Sequence, residues 1–328
     1  MTAAPDRPRA ITPATPVGDR VFRGAVRFSG VLVLLVMGGI GLFLAFQAVP
    51  TLRVLGWSFF TEHLWRPESN RLGILSIALG TLQVAVVAIV IAVPVATGTA
   101  LYISEYAPLK AKRTLVALLD LMAAVPSVVY GLWGFFFLQE EIIYLSRWLS
   151  TYLGWLPFFE VRTDVTAAVW EKSAYTSSVF ICGVVVSLMV IPITASVMRE
   201  VFASAPPGER EAALALGSTR WGVIRAVVLP FGRGGVIGGT MLGLGRALGE
   251  TIAVALIISP AFDVKFRVLE KGGNTISELI ALRFGESSPF QLSALLAAGL
   301  VLFLFTLLIN VLASMVVARS RSGAATEI

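Results

Sequence analysis

Six stretches of this chain, near 29–49, 74–101, 114–138, 175–197, 235–258 and 291–317, are long and almost entirely apolar. A helix needs roughly 20 mainly apolar residues to cross the hydrocarbon core of a bilayer. In lipid, backbone polar groups must be satisfied within the segment or in a closed barrel, and these runs lack the short alternation of barrel strands. The expected fold is therefore an all-α integral membrane protein with six transmembrane helices. Composition agrees: 14% of the residues are charged, where a soluble domain carries about one quarter.

A formal net charge of +6 would suggest nucleic acid in a soluble protein, but here charge has to be sorted by side of the membrane. Arg7, Arg9, Arg20, Arg23, Arg27, Lys110, Lys112, Arg113, Arg199, Arg210, Arg220, Arg225, Arg233, Arg319 and Arg321 all fall on one side. The opposite connections hold fewer cations, offset by acids such as Glu140, Glu141, Asp263 and Glu270. The positive-inside rule then places both termini in the cytoplasm, where the surplus meets anionic lipid headgroups and calls for no nucleic acid. Residues 1–28, with Pro5, Pro8, Pro13 and Pro16, read as a disordered cytoplasmic tail. Residues 29–317 form the six-helix domain, and 318–328 a cytoplasmic C-terminal tail. The first run ends without a small-x-small cleavage site and reads as a retained helix. His63 and Cys182 are the only residues of their kinds, which excludes an internal disulfide and the clusters that hold zinc. No metal site is expected.

The fifth run contains Arg246 and Glu250. An ionisable residue within a span costs a few kcal/mol on insertion scales and has to face a partner or a watered cavity. Their four-residue spacing predicts a shared helix face. One reading is an ion pair that only holds the bundle together. The other is a substrate pathway, favoured because Glu after Arg is the weaker order along a helix and because a guanidinium fork suits a tetrahedral oxyanion. Glycines at 235, 239, 243, 245 and 249 predict close helix packing in the same run.

Between the fourth and fifth runs, Ala205-Pro-Pro-Gly-Glu-Arg-Glu-Ala-Ala-Leu-Ala-Leu-Gly217 predicts a short amphipathic cytoplasmic helix over 207–217. Prolines open it, Glu209 and Glu211 suit its first turn, and Gly217 caps its end. Small Ala212 and Ala213 would let another protein come close. The phosphate-cradling pattern GxxxxGK[ST] occurs nowhere in the chain.

Glu211-Ala-Ala, then Gly217, then Val227-Val-Leu-Pro230 resembles the EAA motif of ABC-importer permeases, whose coupling helix docks on an ATP-binding subunit. The family usually has Ile where Val227 stands. Ala100-Leu-Tyr-Ile-Ser-Glu-Tyr-Ala-Pro108, Val125-Pro-Ser-Val-Val-Tyr-Gly131 and Gly245-Arg-Ala-Leu-Gly-Glu-Thr251 add a resemblance to PstC-type permeases of phosphate importers, over about 74–317. The resemblance implies the type I (MetI-like) permease architecture and a bacterial plasma (inner) membrane location. It also implies Arg246, Glu250 and Thr251 on the substrate pathway, and coupling through Glu209, Glu211, Ala212, Ala213 and Gly217. Its implied partners are a PstA-type second permease in a heterodimer, two copies of an ATP-binding subunit and an extracytoplasmic phosphate-binding protein. ATP-Mg would then belong to the partner ATPase, with no cofactor and no enzyme activity in this chain. Charge alone specifies an anion and not its identity, so a sulfate or molybdate permease, a phosphate-sensing membrane subunit and an ion-coupled secondary carrier using Arg246 and Glu250 are the alternative readings.

Overall fold

Long apolar runs become long helices, and the breaks between them fall at proline, glycine or a capping residue. The computed structural model describes residues 17–69, 71–161 and 172–320. In chain order its elements are α1 (Val17–Leu55), α2 (Ser58–Thr61), a two-stranded hairpin of β1 (Trp65–Arg66) and β2 (Arg71–Leu72), then α3 (Leu75–Leu101) and α4 (Leu109–Ala124). They continue with α5 (Ser127–Trp133), α6 (Gln139–Leu153), α7 (Val179–Ala203), α8 (Pro207–Ala215) and α9 (Arg220–Val223). Last come α10 (Leu229–Gly249), α11 (Ile252–Ile257), α12 (Ile276–Arg283) and α13 (Pro289–Ser320). The hairpin is antiparallel, with Trp65 opposite Leu72. Wider π-helical turns extend α3 over Tyr102–Tyr106, join α5 to α6 over Gly134–Leu138, and join α9 to α10 over Ile224–Val228.

Among the described residues, six helical stretches are long and apolar enough to cross a membrane: Gly18–Leu55, Leu75–Tyr106, Ser127–Leu153, Val179–Ala203, Arg220–Gly249 and Pro289–Val316. The number expected from the sequence stands, but the third, fifth and first spans have other boundaries than expected. The run at 114–138 is cut at Val125, which is extended at φ −65° and ψ 128° because Pro126 excludes the helical conformation from the residue before it. Leu109–Ala124 is thus a separate helix, and the third crossing runs from Ser127 to Leu153. The fifth crossing begins at Arg220 and its main helix ends at Gly249, so Glu250 lies beyond it. At the start, α1 begins at Val17, so residues 17–28 are helical where a tail was expected. The expected tail residues 1–16 and 321–328 lie outside the described residues.

The chain divides into a unit ending at Phe46 and a second beginning at Gln47. In the first, Leu34 and Leu35 expose their side chains, as lipid-facing residues do. In the second, the core is a seam between α3 and α7. Ala85, Ala88, Ala92, Ala96 and Ala100 recur at three- and four-residue steps on one face of α3 and are all buried. Ile181, Cys182, Val185, Val186 and Val190 of α7 belong to the same buried core as Ala85, Ala88 and Ala92. Glycines do the same work on the other side of α7. A β-carbon at Gly235 would lie 2.5 Å from Val201 Cβ, and one at Gly243 would lie 2.6 Å from Val190 Cγ1. Lipid tails give helices no hydrophobic reason to associate, so close backbone approach and van der Waals contact must hold them together.

At the end of the bundle opposite α8, Phe59, Trp65, Leu72, Ile74, Ile77, Ile276, Leu279 and Leu295 form a second core beneath the hairpin. Ser293 binds the last turns of α1 there: its hydroxyl donates to the Gln47 carbonyl at 2.7 Å and accepts from the Thr51 hydroxyl at 2.8 Å. Gly80 of α3 abuts the Asn274 backbone carbonyl so tightly that no β-carbon fits, whereas Gly238 of α10 has open space around it. Gly80→Ala is expected to lower the melting temperature of the detergent-solubilised protein, with a loss on the order of 1–3 kcal/mol from overpacking. Gly238→Ala should leave it unchanged or raise it, as the better helix former.

Candidate functional site

Arg246 sits in the last turn of α10 yet at mid-depth in the bundle. One turn earlier, Gly243 packs on Val190 and Thr194, near the middle of α7. The arginine is half-buried and lines a cavity of about 490 Å³ with Ile193 of α7, Gly238, Met241, Leu242 and Gly245 of α10, and Asn310 of α13. Its Nε is buried and makes no hydrogen bond among the described residues. Tyr130 of α5 lies within electrostatic reach of the guanidinium. Its hydroxyl donates to the Met122 carbonyl at 3.0 Å.

Glu250 does not pair with Arg246, contrary to the shared helix face expected from their spacing. The spacing argument needs a continuous helix, and α10 stops at Gly249. Glu250 is extended at φ −68° and ψ 125°. Its carboxylate, 8% exposed, instead accepts from the Ala253 backbone N–H at 3.3 Å and so caps the first turn of α11. The Thr251 hydroxyl donates back to the Gly249 carbonyl at 3.1 Å. The break lies inside the bundle: beyond it, Ile257 packs beside Gly134 and Val185. Glycine explains why the helix gives way here, since each costs about 1 kcal/mol of helix propensity relative to alanine, and Gly245 and Gly249 have nothing packed against them in return.

A residue that the sequence analysis overlooked stands beside this break. Glu278 is 1% exposed and forms a reciprocal capping box with Thr275 at the start of α12, with Oε2 accepting from the Thr275 N–H at 3.2 Å. Its Oε1 is buried without a hydrogen bond among the described residues. The neighbouring Ser277 hydroxyl donates to the Leu248 carbonyl at 3.3 Å, which ties α12 to the end of α10. Thr275-Ile-Ser-Glu278 has the S/T-x-x-E spacing of a capping box, a signal that was available in the sequence.

The short helix predicted over 207–217 is present as α8, Pro207–Ala215. Gly217 follows it at φ +83°, a conformation that glycine adopts without strain. The Gly217 N–H donates to the Leu214 carbonyl at 2.9 Å and the Ser218 N–H to the Ala213 carbonyl at 3.1 Å, closing a Schellman motif. Glu209, Glu211 and Ala212 are exposed and Ala213 half-buried, while Leu214 and Leu216 expose 51% and 89% of their surface. A short helix displaying leucines in this way is built to be covered.

Residues 93–322 match the family described as the binding-protein-dependent transport system inner membrane component. The chain belongs to that family. It is therefore a multi-pass membrane permease component, and membership implies a separate ATPase and a substrate-binding protein as partners. The chain is 39% identical over 297 residues to the phosphate transport system permease protein PstC 2 of Mycobacterium tuberculosis, covering 89% of this chain and 90% of that one. It is 37% identical over 302 residues to the PstC permease of Xylella fastidiosa, covering 92% and 91%. The fold resembles the solved bacterial alginate ABC transporter in complex with an alginate-bound periplasmic protein. There the TM-score is 0.59 at 15% identity, over 93% of this chain and 98% of that one. The architecture is that of an ABC-importer permease.

Burial pushes the Glu278 carboxyl up from 4.5 to about 7, against the smaller opposing effect of the Thr275 N–H. A carboxyl raised on folding stabilises the protein most fully below pH 4.5 and loses that contribution as pH rises through 7, roughly 3 kcal/mol in all. Glu278→Gln keeps the capping geometry and removes the titration. Melting of the wild type is expected to fall between pH 5 and pH 8 more steeply than that of Glu278→Gln, which should be the more stable of the two at pH 8.

Proposed function

We propose that the chain is the permease subunit of an ATP-driven importer of inorganic phosphate, with Arg246 on the path of the anion. The observation that carries this reading is the identity of 39% with a phosphate transport permease across about nine-tenths of both chains. The cavity beside Arg246 supplies the chemistry: a guanidinium fork at mid-depth, with a buried donor left unpaired, is a match for a partly dehydrated tetrahedral oxyanion. Glu250 serves the passage by holding the break between α10 and α11, rather than by orienting the arginine, and Thr251 lies in that break.

Among the described residues, the cavity is lined by α7, α10 and α13, and Gly238, Gly245 and Gly249 have open space beyond their α-carbons. A second, PstA-type permease would close this face and complete the passage. Two copies of an ATP-binding subunit would dock at the coupling helices, here on Glu209, Glu211, Ala212 and Ala213, with Gly217 setting the end of α8. An extracytoplasmic phosphate-binding protein would deliver the anion at the opposite end, with both termini in the cytoplasm of a bacterial cell and the chain in its inner membrane.

Two measurements test this function. In proteoliposomes holding the whole complex, Arg246→Ala is expected to reduce ATP-driven uptake of labelled phosphate by about tenfold or more, the scale of a lost charge-assisted hydrogen bond. Undiminished uptake would remove the arginine from the path, and competition by sulfate equal to that by phosphate would reassign the anion. On the cytoplasmic side, Ala212→Arg should abolish co-purification of the ATP-binding subunit while the isolated permease melts as the wild type does.

A further inference from the structure

Only two side chains of α8 face the bundle, Arg210 and Ala213, one turn apart and half-buried on an otherwise exposed helix. Arg210 makes a three-point grip. Its Nη1 donates to Glu105 Oε2 at 3.3 Å, and its Nη2 lies 3.2 Å from Glu105 Oε1 and donates to the Phe202 carbonyl at 2.6 Å. Both charges are largely out of water, with 23% of the Arg210 side chain and 12% of the Glu105 side chain exposed. Ile103, Phe202, Ala205 and Val228 pack into one buried apolar cluster at this end of the bundle. The hydrogen bond to Oε2 and the ion-pair contact at Oε1 hold a largely desolvated pair in place, unlike a surface ion pair that slides among many geometries.

The two partners, Glu105 and Phe202, belong to different spans. Glu105 lies in the π-helical turn Tyr102–Tyr106 that ends the second crossing. Phe202 lies in the last turn of α7, and its ring fills the space beside Gly232 of α10 so closely that no β-carbon fits there. From Gly232 the helix α10 runs without interruption to Arg246. A displacement of α8 would reach the end of α3 by way of Glu105, and α7 and α10 by way of Phe202. A π-helical turn is an irregular ladder that recurs at functional sites; one, Tyr102–Tyr106, carries Glu105, and another, Ile224–Val228, leads from α9 into α10.

We propose that Arg210 and Glu105 are positioning residues forming the mechanical joint through which motion of α8 is transmitted to the spans that line the passage. The proposal rests on the importer function given above. A joint differs from a staple in what its loss does. Losing a staple lowers assembly, ATP hydrolysis and transport together. Losing a joint leaves the ATPase attached and turning over while transport no longer follows.

The test uses the complete complex of both permeases, the ATP-binding subunit and the phosphate-binding protein in proteoliposomes, with phosphate uptake and ATP hydrolysis measured on the same vesicles. For Glu105→Gln, which keeps size and shape, phosphate moved per ATP should fall about tenfold, within the range of ordinary coupling energies, while complex yield and ATP hydrolysis stay within about twofold of wild type. Arg210→Lys, which keeps the charge and loses the fork, should do the same, and the double variant should be no worse than either alone. Unchanged phosphate per ATP in Glu105→Gln overturns the joint, as does a parallel loss of yield, hydrolysis and uptake in both single variants. Failure of the importer function is distinguishable: there the wild-type complex itself shows no ATP-driven phosphate uptake.

Discussion

The close approach of three backbones, α3, α7 and α10, is the constraint on which the rest of the second unit depends. Alanine supplies it on one side of α7 and glycine on the other. In lipid this approach substitutes for the hydrophobic effect, and it works only where no β-carbon or a single methyl intervenes. The same glycines weaken α10 as a helix, and what α7 returns to them in contact at Gly235, Gly239 and Gly243 it does not return at Gly245 and Gly249. The helix therefore holds where it is packed and ends where it is not. Packing and the break beside Arg246 have one cause.

That dependence also explains what was legible in the sequence. Hydropathy identifies the spans because the bilayer enforces length and apolarity on each segment separately, and the cost of charge in lipid singles out Arg246 without reference to any fold. The EAA-like loop was legible for the same reason: proline, acidic first turn and Gly217 act locally to start and stop α8. What could not be read depends on neighbours. Apolar residues continue through Pro126 and through Gly249, so a hydropathy run does not reveal that the chain changes direction there. The spacing of Arg246 and Glu250 implied an ion pair only if the helix continued, and the capping of α11 by Glu250 was invisible until the break was seen. Val125-Pro126 carried the one local sign of the first break, the restriction proline places on its predecessor. Arg210 looked like one more cytoplasmic cation under the positive-inside rule. Its partner Glu105 is 105 residues away in sequence.

The electrostatics of the proposed passage differ from those of a stabilising ion pair. A buried guanidinium matched by a carboxylate four residues on would be neutral and satisfied, and an incoming anion would have to displace the carboxylate. Here the carboxylate is turned into the first turn of α11, where the helix dipole and the Ala253 N–H hold it. Arg246 keeps a buried donor unspent and stays half in contact with the cavity. Leaving such a donor unpaired costs free energy, which an anion able to reach it would recover. Because the arginine remains half-exposed to the cavity, its attraction is screened rather than at full low-dielectric strength. A passage needs both properties, since an anion bound too tightly at mid-depth would block the path it had entered.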